Sequence, residues 1–507
     1  MTRMRRAFTF SACAAALLGG CSLVPDYSRP DLPVASNYPS GAAYKGAKQA
    51  EDSADSIGWR EFFADRRLQT LIYVALRNNR DLRVAVLNVA AAQAQFRVQR
   101  SELFPQISAS AIAELGSLPA NAAIPESPAG IASGTPGATA SPASTINTGN
   151  QHVSYQFYNP GIGFASYELD VFGRLRSLTS EAFEQYLGYE ETARSAQISL
   201  VAEVASGYLA VLADRDLLKI TQDTLVSETA SYELTNAMFK RGATTLLSLR
   251  QAETAVDTAR TNLALYTRQE AQDENALVLL LGEPMPADLP PGKGLNGQGL
   301  LSDLPAGLPS DLLFRRPDIV AAEHDLIAAN ANIGAARAAF FPSISLTGSG
   351  GVAGTQLSRL FTKSALTWSF EPQITLPIFT GGQNEANLDL AHVQKNIQVA
   401  QYEKAIQTAF REVSDALAAR TTYVDQVKAQ RQLVNAAADS LRLSTHRFRA
   451  GVDDYLPVLQ AQETLYSAQQ TLLGLNQARL VNLVTLYKAL GGWHEHAAAP
   501  ATTAQPL

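Results

Sequence analysis

Two stretches of the chain, 209 residues apart, share one sequence pattern. Residues 238–257 read MFKRGATTLLSLRQAETAVD, and residues 447–466 read RFRAGVDDYLPVLQAQETLY. Aligned with this offset, they are identical at Phe239 and Phe448, Gly242 and Gly451, Leu247 and Leu456, Gln251 and Gln460, and Ala252 and Ala461. In each stretch a glycine stands between two segments of helical apolar spacing, which is typical of two helices joined by a tight turn. The sequence therefore predicts the same helix–turn–helix unit twice.

The repeat extends over most of the chain. LFPQISASA at 103–111 corresponds to FFPSISLTG at 340–348, and ELDVFGRL at 168–175 corresponds to TLPIFTGG at 375–382. Each half predicts a helix that stops at a Phe-Pro pair, a β-hairpin, a long helix, a glycine turn and a final helix. The predicted segments are a signal peptide at 1–20, an extended N-terminal segment at 21–57, a first repeat at 58–282, a linker at 283–316, a second repeat at 317–491 and a flexible tail at 492–507.

The two predicted hairpins, at about 105–172 and 342–379, contain strands with two different faces, because apolar and polar residues alternate along them. The pattern is clearest in the last strand, whose apolar face has Leu366, Trp368, Phe370, Ile374, Leu376 and Ile378. Strands of about 9 to 11 residues span a bilayer when they are tilted. The first hairpin is longer because residues 116–150, rich in Ala, Ser, Gly, Pro and Thr, predict a mobile loop.

Each hairpin is followed by an uninterrupted helical pattern, at 173–239 and 380–448, long enough for a helix of about 100 Å. The helix after each glycine turn has apolar residues spaced alternately three and four apart. They are Leu249, Ala252, Val256, Ala259, Leu263 and Tyr266 in the first repeat, and Val458, Ala461, Leu465, Ala468, Leu472 and Leu475 in the second. This spacing predicts a coiled-coil seam, although the buried stripe of an ordinary helical bundle has the same spacing.

The N-terminus predicts secretion and lipid attachment. Arg3, Arg5 and Arg6 precede a short apolar stretch that ends in LLGGC, the pattern of a signal peptide. LLGGC resembles the bacterial lipobox, which implies that Cys21 becomes the first mature residue, with diacylglycerol on its thiol and an N-acyl chain. Ser22 after this cysteine implies the outer membrane. The alternative is a cysteine that happens to follow an ordinary signal peptide.

Four strands in one chain do not close a membrane barrel. An open sheet edge in hydrocarbon leaves backbone groups without hydrogen bonds, at several kcal/mol each. Two chains would supply eight strands, whose interior is filled by side chains, whereas three would supply twelve and leave a water-filled lumen. We therefore predict a homotrimer whose β-barrel continues into a tube of packed helices.

Five segments resemble the outer-membrane factor family of tripartite efflux systems, the TolC and OprM type of channel. They are CSLVPDYSRP at 21–30, GWREFFADRRLQTLI at 58–72, NNRDLRVAVLNV at 78–89, RRPDIVAAEHDL at 315–326 and YKALGGW at 487–493. The resemblance implies a TolC-like trimer with a 12-stranded β-barrel in the outer membrane and a long α-helical barrel in the periplasm. It also implies an exit duct that passively conducts drugs or other small toxic compounds, together with a periplasmic adaptor and an inner-membrane RND-type transporter.

The resemblance places the two glycine turns at the periplasmic tips. The expected adaptor-docking residues are Gly242, Ala243, Thr244, Gly451 and Val452, and the expected residues of a periplasmic gate are Arg447, Phe448, Asp453, Asp454, Leu456 and Gln460. Three copies of Leu456 would form an apolar ring, and Asp453 or Asp454 would pair with Arg447. Gln460 stands where OprM-type members often have aspartate, so an acidic ring is not expected there. The glycines could instead serve only the turns, and Leu456 only the packing of its helix pair.

Other functions fit the sequence less well. A mature chain with 38 basic and 47 acidic residues has a net charge of −9, which disfavours nucleic acid as a partner. The sequence predicts no enzyme, cofactor or metal site, because His494 and His496 lie in a solvated tail and no catalytic grouping is visible. Two alternatives within the channel class are metal-cation efflux and type I protein secretion. A lipid-anchored periplasmic coiled-coil scaffold is the alternative of another class.

Overall fold

The computed structural model describes residues 22–44, 57–119, 152–301, 304 and 309–492. Its main elements are α1 (Trp59–Phe62), α2 (Arg66–Asn78), α3 (Arg80–Ser101), β1 (Ile107–Pro119), β2 (His152–Leu169), α4 (Arg174–Lys240), α5 (Leu246–Leu281), α6 (Leu312–Arg315), α7 (Pro317–Ala338), β3 (Ser343–Val352), β4 (Leu366–Thr375), α8 (Gln383–Arg449) and α9 (Leu456–Ala489). Short 3-10 helices occur at Ala42–Tyr44, Leu295–Gly297, Pro309–Asp311, Leu357–Arg359 and Lys363–Ala365.

The internal duplication is present in the helices. The two long helices, α4 and α8, have 67 residues each, and both their first and their last residues are related by the offset of the sequence repeat. The helices that follow the turns, α5 and α9, have 36 and 34 residues. Ala252, Val256 and Ala259 of the first predicted seam are buried, as are Val458 and Ala461 of the second.

The strands form one antiparallel sheet in the order β1-β2-β3-β4. The central pair, β2 with β3, joins the two repeats, and a β-bulge interrupts its register between Phe164 and Tyr167. Ser166, inside the bulge, has φ 56°. Within the described residues, β1 and β4 each have one edge without a partner strand. This is the open sheet that the sequence predicts for a single chain.

The bounds of two strands differ from the sequence prediction. β1 continues to Pro119 and so includes the first residues of the predicted loop at 116–150, because they pair with the start of β2. The rest of that loop lies outside the described residues. β4 ends at Thr375, so Leu376 and Ile378 do not extend its apolar face. Trp368, on that face, is 79% exposed in the single chain.

The chain forms two compact units, and each takes segments from both repeats. One contains the sheet with residues 93–183 and 327–395 and the chain up to Tyr27, and the other contains 28–92, 184–326 and the chain from Asn396 onward. In the first unit the N-terminal segment is bound to α7. Asn330 Nδ2 donates to the carbonyl of Pro25 at 2.8 Å, and Arg337 donates to the carbonyl of Leu23 at 3.2 Å.

The motif GWREFFADRRLQ forms a buried hydrogen-bond centre in the second unit. Asp65 begins α2 by accepting a bond from the backbone N–H of Arg67 at 2.9 Å. Its other oxygen accepts bonds at 3.1 Å from the Tyr208 hydroxyl, the Lys293 N–H and the Gln298 amide. A single buried carboxylate thus joins α2, α4 and the linker after α5, and the motif has a structural role.

The motifs NNRDL and RRPDIV also stabilise element ends. Asn79 accepts a bond from the N–H of Leu82 at 2.8 Å and donates to the carbonyl of Leu280, near the end of α5, at 2.9 Å. Buried Arg316 contacts the carboxylates of Asp318 and Glu412 and donates to the carbonyl of Ala489 at 3.1 Å. An arginine on the last carbonyls of α9 satisfies groups that a helix end leaves free.

Helix α4 is the one helix among the described residues that is long and apolar enough to cross a membrane. More than half of its most apolar 18-residue stretch is buried inside the protein. A core helix has the same properties. Val204, Ala205 and Leu209, which are almost fully buried, indicate that packing accounts for the apolar composition of α4.

Candidate functional site

The first glycine turn joins α4 to α5. The N–H of Gly242 donates to the carbonyl of Phe239 at 2.9 Å, and the N–H of Ala243 donates to the carbonyl of Met238 at 2.9 Å. This pair of bonds, with Gly242 at φ +73°, is a Schellman helix end, which needs a residue in the left-handed region. Thr245 then caps α5 by accepting a bond from the N–H of Ser248 at 3.2 Å.

The second glycine turn joins α8 to α9 with the same bonds. The N–H of Gly451 donates to the carbonyl of Phe448 at 3.0 Å, and the N–H of Val452 donates to the carbonyl of Arg447 at 3.0 Å. Gly451 has φ +71°. Pro457 stands in the first turn of α9, where the missing N–H of proline costs no hydrogen bond. Both turns therefore reverse the chain by one backbone mechanism.

The turns differ in what lies beneath them. Phe448 is only 4% exposed and belongs to a buried cluster with Ala252, Tyr455 and Val458. Its ring lies 5.5 Å from that of Tyr455, edge to face. Met238 and Tyr232 of α4 also pack against this cluster. The cluster thus joins helices of both repeats next to the second turn.

The structure places Phe448, one of the predicted gate residues, in a buried position. Its side chain packs among apolar residues of the same chain. Leu456 and Gln460, in contrast, are exposed, and Leu456 shows 46% of its surface. The expected gate residues are therefore divided between a buried anchor and an exposed face of α9.

An ion pair closes the second turn. The guanidinium of Arg447 donates from Nε and Nη2 to the two carboxylate oxygens of Asp453, at 2.5 and 2.8 Å. The hydrogen bond from Arg447 lowers the pKa of Asp453, and the same bond raises the pKa of Arg447. Of the two aspartates considered, Asp453 is the one that the structure pairs with Arg447; Asp454 is exposed.

The expected docking residues form the exposed surface of both turns. Gly242, Ala243, Gly451 and Val452 are exposed, and Thr244 is partly exposed. A side chain built on either glycine would meet nothing within 4 Å, so their conformation and not close packing requires glycine. Val452 leaves 61% of its surface open.

Sequence reasoning did not identify Tyr455, which is fully buried at the start of α9. Its hydroxyl donates to Gln462 Oε1 at 3.4 Å, and Gln462 donates to the Ser231 hydroxyl of α4 at 3.1 Å. Burial is the main cause that raises the pKa of Tyr455, and the negative charge of Glu228 raises this pKa further. In the sequence, the aromatic Tyr455 directly after Asp453 and Asp454 was the signal that could have indicated a buried cluster at this turn.

The expected lipidation residue, Cys21, and the tail histidines lie outside the described residues. The described part of the chain begins at Ser22, immediately after Cys21. It is hydrogen-bonded to α7 through the carbonyl of Leu23. Among the residues that the structure describes, no three His, Cys, Asp or Glu side chains are grouped as metal ligands.

Comparison with known proteins identifies the family. The profile of the outer membrane efflux protein family matches residues 71–283 and 308–492. The chain is 48% identical over 493 residues, 97% of each chain, to the toluene efflux pump outer membrane protein TtgC and to the antibiotic efflux pump outer membrane protein ArpC, both of Pseudomonas putida. It is also similar to the open state of the outer membrane channel MtrE of Neisseria gonorrhoeae, with 37% identity and a TM-score of 0.78 over 93% of this chain and 98% of that one.

The chain therefore belongs to the outer membrane efflux protein family and has the TolC-like fold. It is an outer-membrane exit duct of an efflux pump. The family resemblance found in the sequence is confirmed. The scaffold alternative is not supported, because the similarity to outer-membrane channels extends over nearly the whole chain.

Proposed function

We propose that the chain forms a homotrimer that conducts small toxic compounds, such as aromatic solvents and antibiotics, out of the cell. The names of two relatives that are 48% identical favour these substrates over metal cations or secreted proteins. In this proposal the duct is passive and catalyses no reaction. An inner-membrane RND-type transporter supplies the energy, and a periplasmic adaptor connects the transporter to the tips.

The sheet carries the proposal of a trimer. Its described edges, β1 and β4, have no partner strand, and large apolar side chains of β4 face outward. In hydrocarbon, unpaired backbone groups at these edges would cost several kcal/mol each, whereas pairing β4 with β1 of a second copy satisfies them. Three copies give twelve strands and leave a lumen.

The lipid on Cys21 is part of the proposal. The lipobox-like sequence supports it, and the binding of Leu23 and Pro25 to α7 holds the chain just after Cys21 against the unit that contains the sheet. Two or more acyl chains give stable anchoring, which one chain does not. Mass spectrometry of the mature N-terminal peptide should show N-acyl and S-diacylglycerol groups; a free Cys21 would contradict this part.

Adaptor docking at the turns can be tested by placing negatively charged side chains on the exposed surface of both turns. Ala243→Glu with Val452→Glu should abolish resistance to toluene and antibiotics in cells that depend on this protein for efflux, while trimers persist in the membrane. Val226→Glu is the matched control, because Val226 is an exposed apolar residue of α4 away from the turns, and it should retain resistance. Full resistance in the double variant would remove the docking proposal.

We further propose that the second turn contains the closed gate. Leu456 is an exposed apolar residue at the start of α9, next to that turn, and two hydrogen bonds join Arg447 to Asp453 across the turn. Leu456→Ala with Arg447→Ala should raise single-trimer conductance in planar bilayers and admit vancomycin to cells. Leu247→Ala is the control, since Leu247 is the equivalent residue of the first turn and is also exposed. Equal conductance in both variants would place the constriction elsewhere.

A further inference from the structure

A cavity of about 200 Å³ lies between α4, α5 and α9, within the second compact unit. Its walls combine acidic, amide and hydroxyl side chains with a few apolar ones. The lining residues are Thr224, Glu228, Gln251, Thr254, Ala255, Thr258, Ala259, Asn262, Leu459, Gln462, Glu463 and Tyr466. Two of these residues, one from each repeat, are acidic.

Glu228 is the unusual member of this lining. It is only 4% exposed, and its Oε2 is buried without a hydrogen-bond partner. The second carboxylate, Glu463, is exposed at the rim of the cavity. No lysine or arginine occurs among the described residues that line the cavity. A buried ionised carboxylate without a partner is unfavourable.

The ionisation of Glu228 depends on its neighbours. Burial is the main cause that raises the pKa of Glu228 to about 7, and the negative charge of Glu463 is the second cause. Tyr455 and Tyr466 are the other titratable groups here, while α5 contributes only amide, hydroxyl and alanine side chains to the lining. An ionised carboxylate at this buried position needs a compensating positive charge.

We propose that this cavity binds a hydrated divalent cation of the magnesium type, held between Glu228 and Glu463. Two carboxylates balance the charge of one divalent ion. Every polar ligand on the walls offers oxygen, and the lining contains neither histidine nor cysteine, a set that suits magnesium better than zinc or copper. Magnesium keeps most of its waters and needs only one or two carboxylates. About six waters at ~30 Å³ each occupy roughly 180 Å³, which the cavity accommodates.

The internal repeat supports a role for Glu228 beyond folding. Its equivalent position on α8 is Ala437, which is buried. The same place in a 67-residue helix thus accepts alanine, so the fold does not require a carboxylate there. A bound cation would connect α4 of the first repeat to α9 of the second, near the cluster around Phe448.

Manganese titration of the purified, EDTA-treated protein tests the site, with electron paramagnetic resonance to count bound Mn²⁺. One Mn²⁺ should bind per chain at pH 8 and be displaced by Mg²⁺. Glu228→Gln and Glu463→Gln should each abolish this binding.

Asp257→Asn is the matched control, since Asp257 is an exposed acidic residue of α5 that pairs with Arg260 outside the cavity. It should leave binding unchanged. Absence of binding in the wild type would overturn the proposal. Retention in both glutamine variants, or equal loss in Asp257→Asn, would overturn it as well. Glu463 is exposed, so its variant remains informative if Glu228→Gln misfolds. None of these results bears on the proposed efflux function.

Discussion

The two glycine turns have one backbone and two different surroundings. The same pair of hydrogen bonds closes both, and both glycines have φ close to +70°. Phe239 before the first turn is 38% exposed, whereas its equivalent Phe448 is 4% exposed. The duplicated sequence thus preserves the local reversal of the chain, while contacts between the repeats decide which copy acquires a core.

An ion pair also distinguishes the second turn from the first. Arg447 and Asp453 are joined by two hydrogen bonds at the second turn. At the equivalent positions of the first turn stand Met238 and Thr244, which cannot form an ion pair. The second turn therefore has both a buried aromatic anchor and an exposed pair, and the first has neither. This asymmetry supports the proposal that the second turn, and not the first, contains the gate.

The largest effect is expected from the two phenylalanines. Phe448→Ala should lower the free energy of local opening at the second turn by about 3–5 kcal/mol, because it removes a buried ring and leaves a cavity. Phe239→Ala should lower that of the first turn by less than about 1 kcal/mol, because its ring is partly in water. Hydrogen exchange of residues 441–460 and 232–251 measures both. Equal losses would show that the turns are equivalent after all.

A second difference between the repeats lies on α4, where buried Asp214 corresponds to Tyr423 of α8. Burial is the main cause that raises the pKa of Asp214 to about 7, and the interaction with Asp273 is the second cause. The folded protein therefore holds a proton that the unfolded chain releases near pH 4, so stability from this group falls as pH rises from about 4 to 7.

Asp214→Asn removes that dependence. We expect the variant to gain about 3 kcal/mol relative to wild type between pH 4.5 and pH 8. Thermal unfolding followed by circular dichroism at the two pH values gives the difference. A constant difference across this range would mean that Asp214 ionises normally.

The glycines should respond alike, because both are required only by their backbone conformation. Gly242→Ala and Gly451→Ala should each cost about 1 kcal/mol, the strain of a left-handed alanine. Hydrogen exchange at each turn is again the measurement. A much larger loss at one of them would reveal a close contact that distinguishes the turns.

The smallest effect is expected from the exposed pair. Asp453→Asn should leave the melting temperature of the trimer unchanged, because exposed ion pairs are screened by water and salt. Since the pKa of Asp453 is lowered in the folded state, the contribution of the pair is present above pH 4 and is lost as pH falls further. Bilayer recordings from pH 7 to pH 3 should show more frequent opening at low pH in wild type and no such change in Asp453→Asn.

The sequence by itself determined the repeat, the helix and strand order and the family. Glycine turns, Phe-Pro stops and alternating strands are local signals, because φ preferences and side-chain periodicity act within a few residues. The long helices and α9 were predicted within a few residues for that reason. The quoted family motifs were also visible, although their roles as buried hydrogen-bond centres were not.

Only the tertiary structure decided what each equivalent residue does. Phe239 and Phe448 occupy equivalent positions of the repeat, yet their burial depends on helices that lie hundreds of residues apart along the chain. The partnerless carboxylate of Glu228 and the raised pKa of Asp214 likewise arise where α4 meets α9 and α5. Desolvation and charge interactions act through space, so a pattern along the chain predicts where a helix bends back but not which of its copies encloses a charge.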